Sequence, residues 1–207
     1  MSVQDIFKAV VEFDEDKVIA LVNQEIKAGT PVEEILNNGL IAPMDEVGVQ
    51  FSRGDLFVPE MLMAAKSMQG GLEIIKPLLA AADSKGRGTV LIGTVKGDLH
   101  DIGKNLVAMM VEGGGFTVVD LGVDVDADTF LAKVEEHEAN AVALSALLTT
   151  TMPAMATITK TIKEKHANVS VIIGGAPVTQ GFADEIGAHG YAEDAPGAVE
   201  LLRRLVA

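Results

Sequence analysis

The apolar positions of this chain change period partway along. From the N-terminus to about residue 82 they recur at helical spacing. DIFKAVVEFDEDKVIALVNQEIKAG keeps that period and stops at Gly29, a residue type that closes helices. TPVEEILNNGLIAPMDEVGVQFSRGD predicts a helix with Thr30 as N-cap, Pro31 as the first helical residue and Glu33 three positions after the cap. A break near Ala42 and Pro43 starts another helix, which ends around SRGD. VPEMLMAAKSMQGGLEIIKPLLAAA supplies the last. About four helices joined by short turns predict a small antiparallel bundle over residues 1–86. The polar, glycine-rich DSKGRG at residues 83–88 reads as a linker.

Past the linker the period shortens. TVLIGTV, FTVVDLGV, AVALSALL and VSVIIGGA are short β-branched runs, each followed by a helical stretch, and GYAEDA offers a short fifth strand before APGAVELLRRLVA. Continuous apolar runs alternating with helices predict parallel strands covered on both faces. Residues 87–207 are therefore expected to form an α/β domain, a doubly wound five-stranded parallel sheet in the flavodoxin-like (Rossmann-like) order. Such sheets bind ligands at the carboxyl ends of their strands.

Composition narrows the classes. The chain is 48% hydrophobic but only 4% aromatic, with nine methionines, so its apolar surface is aliphatic and adaptable. Acidic residues outnumber basic ones by 30 to 16, for a net charge of -14, which repels phosphate backbones and argues against nucleic-acid binding. Cysteine is absent, which removes thiolate chemistry and fits a reducing cytoplasm. The opening MSVQDIFKAVVEFDED has early acids and no apolar core of a signal peptide. No stretch approaches the roughly 20 uninterrupted apolar residues of a membrane span.

The chemistry concentrates in GTVKGDLHDIGKNLV, where His100 follows the first strand between Asp98 and Asp101. A phosphate-binding loop is excluded: five residues separate Gly97 from Gly103 where that loop has four, and Asn105 stands where it needs Ser or Thr. A phospho-acceptor site would want clustered acids at this strand end, and here they flank a histidine. The remaining chemical reading is a metal-ligand histidine backed by a carboxylate. A ring N–H donated to Asp98 would fix the tautomer and make the other nitrogen a better ligand. An ordinary residue at a helix start is the competing reading. Against it stands the rest of the same edge: Ser145, Leu147 and Thr149 follow the third strand, and Gly174 and Gly175 follow the fourth. Hydroxyls and bare backbone there describe a slot with a histidine at its mouth.

The pattern Asp-x-His-x-x-Gly (Asp98, His100, Gly103), then Ser-x-Leu (Ser145, Leu147), then Gly-Gly (Gly174, Gly175) resembles the cobalamin-binding domains. That resemblance covers residues 88–207. It implies that His100 replaces the dimethylbenzimidazole of the cofactor as lower ligand to cobalt, with Asp98 and Ser145 tuning its basicity and relaying a proton. It also implies that the displaced nucleotide tail enters the slot. Gly97, Asp101 and Ile102 around the histidine, Thr149, and Ala195 at the start of the last helix join the expected cofactor contacts. The N-terminal helices resemble the cap that precedes this domain in methionine synthase and in small corrinoid proteins. By that resemblance Phe51, Val58 and Met61 would lie over the upper corrin face and shield the methyl group. Methionine synthase has a cap glutamate where this chain has Asn37, so that contact is not carried over.

The resemblance implies a methyl-carrying subunit, not catalytic alone, of a cobalamin-dependent methyltransferase system in one-carbon metabolism. Its cofactor would be cobalamin or a related corrinoid, cycling through methylcobalamin, cob(I)alamin and cob(II)alamin. Its partners would be a substrate-specific methyltransferase built on a barrel, a second methyltransferase serving tetrahydrofolate or coenzyme M, and a reductive activase. A cobalamin-dependent sensor and a mutase subunit are the alternatives. A mutase subunit would not need the methyl-shielding cap, so the FVPEM helix argues against it; a sensor could share both domains but would usually carry a DNA-binding or signalling segment. Methanol, methylamines, glycine betaine and aryl methyl ethers all stay open as methyl sources.

Overall fold

A computed structural model describes residues 2–81 and 86–206. Asp83, Ser84 and Lys85 of the expected linker lie outside the described residues. The chain divides into two compact units: Met1–Lys85 together with Gly113–Gly115, and Gly86–Glu112 together with Phe116–Ala207.

The first unit is helical. Its helices are α1 (Val3–Val11), α2 (Glu15–Ala28), a short α3 (Val32–Glu34) that runs through a π-helix (Ile35–Ile41) into α4 (Ala42–Arg53), and α5 (Val58–Ala81). Among the described residues this makes four rods, as expected, but they are cut differently. The first apolar stretch is two helices, not one. Phe13 turns left-handed at φ 64, and the Asp14 side chain accepts from Lys17 N at 3.0 Å to start α2. Helical periodicity survives the turn, so the pattern alone concealed it. Gly29 and Gly54 close α2 and α4 in the left-handed conformation.

Two expectations in the next segment are corrected. Thr30 is not the N-cap; Pro31 holds that position, and the Thr30 hydroxyl donates to the buried Glu25 carboxylate at 2.7 Å. Nor does the chain break at Ala42 and Pro43. Both Ile41 and Ala42 are right-handed helical, and Ala42 N donates to Asn37 O, five residues back. In α-register a proline ring collides with the carbonyl four residues earlier and leaves it unbonded. The wider π-turn takes up the change of register just ahead of Pro43, so the rod continues. Met61, Ala65 and Met68, spaced along one face of α5, are all buried.

The second unit is the expected α/β domain. Five parallel strands lie in the order β2-β1-β3-β4-β5. They are β1 (Thr89–Thr94), β2 (Thr117–Asp120), β3 (Ala141–Ser145), β4 (Ser170–Gly174) and β5 (Gly190–Ala192). Between and after them run α6 (Ile102–Gly113), α7 (Ala127–His137), α8 (Met152–Lys165), α9 (Gln180–Ile186) and α10 (Ala195–Leu205). β3 and β4 are buried along nearly their whole length because helices cover both faces. On one face Leu91, Val142, Val171 and Ile173 pack with Phe130 of α7 and Ile158 and Ile162 of α8. Thr94 pairs with Ser145, Ser145 with Gly174, and Gly174 with Ala192, so the strand ends form one row. The chain reverses its direction of winding between β1 and β3, where a crevice opens at the carboxyl edge of such sheets.

Candidate functional site

The loop after β1 crosses that crevice. Asp98 is wholly buried there, and five hydrogen-bond donors converge on its carboxylate. Oδ1 takes His100 N at 3.1 Å and His100 Nδ1 at 2.7 Å. Oδ2 takes Leu147 N at 2.8 Å, Leu148 N at 3.3 Å and Thr151 Oγ1 at 2.8 Å. Burial would raise the pKa of this acid. The hydrogen bonds from His100, Leu147 and Thr151 outweigh it and hold Asp98 well below the usual carboxylate range.

An ionised Asp98 can only accept, so Nδ1 of His100 carries the proton of that bond. The opposite ring nitrogen, Nε2, then offers its lone pair, pointing away from the acid. The His100 side chain is 53% exposed, so that lone pair is accessible. Thr94, buried at the end of β1, donates its hydroxyl to His100 O at 2.8 Å and fixes the backbone as well. Tautomer, ring orientation and backbone are set before any metal arrives, which is the expected arrangement of a ligand histidine. Among the described residues no three His, Asp or Glu side chains cluster to hold a metal ion.

The surroundings suit a broad, largely apolar cofactor. Leu99 and Ile102 beside the histidine, with Leu147 and Leu148 from the loop after β3, are exposed apolar side chains. Gly103 sits exposed in the first turn of α6 at ordinary φ, and a Cβ built there would meet nothing within 4 Å. Nothing inside the chain fills the space a side chain would take at that point. Asp101 accepts from Asn105 N at 2.7 Å and braces the same turn. Gly97, at φ 86, donates its N–H to Asp124 Oδ1 at 2.8 Å.

Other expected residues fall differently. Ser145 ends β3, and its carbonyl accepts from Val95 N at 3.0 Å, but its hydroxyl bonds neither Asp98 nor His100. Thr151 contacts Asp98 instead, because the turn after β3 carries the chain past Asp98 and brings the Leu147 and Leu148 amides and the Thr151 hydroxyl onto Oδ2. Thr151 was legible as the capping residue ahead of Met152-Pro153 at the start of α8; its hydroxyl is spent on Asp98 and the Leu148 carbonyl instead of the cap. Thr149 is exposed. Gly175 is required by the fold itself: at φ 125 its Cβ would lie 2.0 Å from Ala146 O. Gly174 has ordinary φ, and a Cβ there would stand 3.0 Å from Ala192 O. Ala195 is buried under the Asp194 cap of α10. In the helical unit Val58 is exposed, Phe51 half-buried and Met61 fully buried. Phe57, next to Val58, is 67% exposed and was not foreseen.

Sequence reasoning also missed Lys104. It is buried, and its ammonium reaches Asn105 Oδ1 at 2.7 Å and the Asp120 carboxylate at the end of β2. Its place directly after Gly103 had suggested only the rejected phosphate loop.

A helical unit joined to a parallel sheet that presents one carboxylate-backed histidine amid exposed apolar groups and unclaimed glycine space defines a corrinoid-binding protein. Residues 88–200 match the B12 binding domain, and residues 3–76 match a second B12 binding domain model. The chain belongs to this family of B12-binding corrinoid proteins, and it binds a cobalamin-type corrinoid. It is 43% identical to a dimethylamine corrinoid protein of Methanosarcina acetivorans, over 99% of this chain and 97% of that one. A trimethylamine corrinoid protein of Methanosarcina mazei is 45% identical over 94% and 91% of the two chains. Among solved structures, the methanol:cobalamin methyltransferase complex MtaBC of Methanosarcina barkeri matches 99% of this chain and 79% of its own, at 32% identity and a TM-score of 0.88. A cobalamin-binding protein of Desulfitobacterium hafniense matches 100% and 99% at a TM-score of 0.82. No helix of the described residues is long and apolar enough to cross a membrane.

Proposed function

We propose that this chain is the methyl-carrying subunit of a methylamine methyltransferase system, with His100 Nε2 as the lower ligand of the corrinoid cobalt. The observation that carries the reading is the 2.7 Å contact from His100 Nδ1 to a buried, ionised Asp98, which leaves Nε2 free. The bound corrinoid supplies a cobalt centre that accepts a methyl group and gives it up again. Asp98 holds the proton on Nδ1 while Nε2 serves as ligand. Were Nε2 to take up a proton, Asp98 would stabilise the imidazolium, and Thr151 supports the carboxylate on its other oxygen. The open space at Gly103 suits the displaced tail of the cofactor, with Gly174 nearby on the same strand edge. Val58 and Phe51 are the residues proposed to shield the methyl group.

The named relatives favour methylamines over methanol, betaine and aryl ethers as the methyl source. A carrier receives only a methyl group, so the choice between amines falls to the partner methyltransferase. That partner, a second methyltransferase serving coenzyme M or tetrahydrofolate, and a reductive activase complete the system in the cytoplasm.

The test is reconstitution with hydroxocobalamin, reduction to the Co(II) state, and electron paramagnetic resonance of protein labelled with ¹⁵N-histidine. Coupling to one histidine nitrogen, abolished in His100→Ala, is the expected result. Coupling that survives His100→Ala, or that comes from dimethylbenzimidazole, overturns the ligand assignment. Methylation of the loaded protein by methyltransferases specific for mono-, di- and trimethylamine, with the methanol enzyme as control, decides the methyl source. Transfer from the methanol enzyme alone overturns the methylamine reading.

A further inference from the structure

We propose that Asp124, in the loop after β2, is a positioning residue that clamps the backbone on either side of the Gly97–Asp98 peptide and so holds His100 in its ligand-ready orientation. The proposal rests on the reading of His100 as the cobalt ligand. Asp124 lies outside every motif that marks the site in the sequence.

Its backbone is unusual. Among the described residues three non-glycine positions have positive φ: Phe13, Asp124 and Glu138. Phe13 lies in the turn between α1 and α2, and Glu138 caps α7. Asp124, at φ 58, serves no helix end. A Cβ disfavours this conformation, and aspartate is among the residues that bear it best. The twist aims the N–H and the carboxylate of Asp124 at the two peptide groups that flank the one between Gly97 and Asp98. Its N–H donates to Asp98 O at 3.0 Å, and its Oδ1 accepts from Gly97 N at 2.8 Å. Oδ2 receives Lys96 Nζ at 3.2 Å, which fixes the carboxylate.

The flanks reinforce this geometry. Val125 N donates to Thr94 O at 3.0 Å, and Val95 and Val125 form a parallel bridge beyond the ends of their strands. The loop from β2 thus lies alongside the loop from β1 up to Asp98. The Asp98 carboxylate then has a fixed origin from which Oδ1 meets His100 and Oδ2 meets the loop after β3. Loosening the clamp lets the backbone at Gly97 and Asp98 shift, and the bonds from His100 N and Nδ1 to Asp98 lose their shared geometry. A ligand supported by a loosened shell binds less well, typically by about 10–100-fold when its direct partner is lost. Asp124 acts one step further out, so a smaller loss is expected.

A merely structural role is separable because glycine suits φ 58 better than aspartate does. Asp124→Gly removes the side-chain half of the clamp, keeps the N–H bond to Asp98 O and relieves the backbone; Asp124→Asn keeps the Oδ1 acceptor and tolerates the same φ. Two readouts apply to the full chain. One is the ratio of histidine-ligated to unligated Co(II) in protein loaded with hydroxocobalamin and reduced. The other is the ¹⁵N tautomer signature of His100 in corrinoid-free protein. Asp124→Gly is expected to keep or raise the melting temperature, lower the ligated ratio by about threefold to tenfold, and mix the two imidazole tautomers. Asp124→Asn should restore both readouts to within about twofold of wild type. A glycine variant that ligates as wild type does and keeps the Nδ1–H tautomer overturns the proposal. So does a glycine variant that no longer folds, since Asp124 would then be a folding residue. If wild type itself shows no histidine coupling, the ligand assignment fails, and the tautomer signature alone decides whether the clamp exists.

Discussion

Asp98 in the sheet unit and Met61 in the helical unit are both completely buried, yet they are buried for opposite reasons. Asp98 is a charge that stays inside only because five donors from two stretches of chain meet it. Met61 has no polar atom to satisfy and is held by contact alone. The first kind of burial is directional: each bond fixes an angle, and the chain gives up freedom to point His100 outward. The second kind is non-directional, so it stabilises the helices without aiming anything. Functional geometry therefore concentrates at the strand edge, and the helical unit contributes surface, of which Val58 and Phe57 are the exposed parts.

The largest effect expected on that contrast is at Met61. Met61→Ala should cost about 2–5 kcal/mol of stability, because a buried truncation leaves a cavity. The chain has no tryptophan, so denaturant unfolding followed by far-ultraviolet circular dichroism is the suitable measurement. A loss under about 1 kcal/mol would mean that Met61 is not core, as a residue shielding the methyl group would be.

Asp98→Asn comes next, at about 1–3 kcal/mol, since a neutral amide leaves donors poorly matched. Here pH gives the sign. The Asp98 pKa in the folded chain lies below its unfolded value near 3.9, so its contribution is complete at neutral pH. The advantage of wild type over the variant should shrink as pH falls below about 4. An advantage that is flat from pH 7 to pH 3 would mean the charge is not what holds the loop.

Gly103→Ala should leave the corrinoid-free protein unchanged or more stable by up to about 1 kcal/mol, as alanine favours the helix. Corrinoid affinity should fall at the same time, because the methyl group occupies space the chain leaves open. Equal affinity in the variant would show that the space is not used. The smallest effect is at Val58. Val58→Ala on an exposed position should change stability by no more than about 0.5 kcal/mol, while anaerobic photolysis of bound methylcobalamin quickens. Unchanged photolysis would remove Val58 from the shield.

Much of the architecture was legible because it repeats. Period-3.6 and β-branched runs marked the two units and the strands, and the spacing of Asp98, His100 and Gly103 marked the ligand loop. The turn at Phe13 and the π-helix before Pro43 were not legible, because neither interrupts the spacing of apolar residues. Thr151 and Asp124 escaped for a related reason. Each acts on residues far away in sequence, Thr151 from 53 positions beyond Asp98 and Asp124 from 27 beyond Gly97.

By itself, the sequence determined the order of strands and helices, the exposed edge where the loops gather, and the identity of the histidine offered there. Local periodicity and short-range spacing carry that information. Tertiary structure alone decided which hydroxyl completes the Asp98 shell, which glycine is demanded by the backbone and which is left open, and which methionine is packing. Those choices depend on distances between segments that only the folded sheet brings into register, and no residue announces them from its own neighbourhood in the chain.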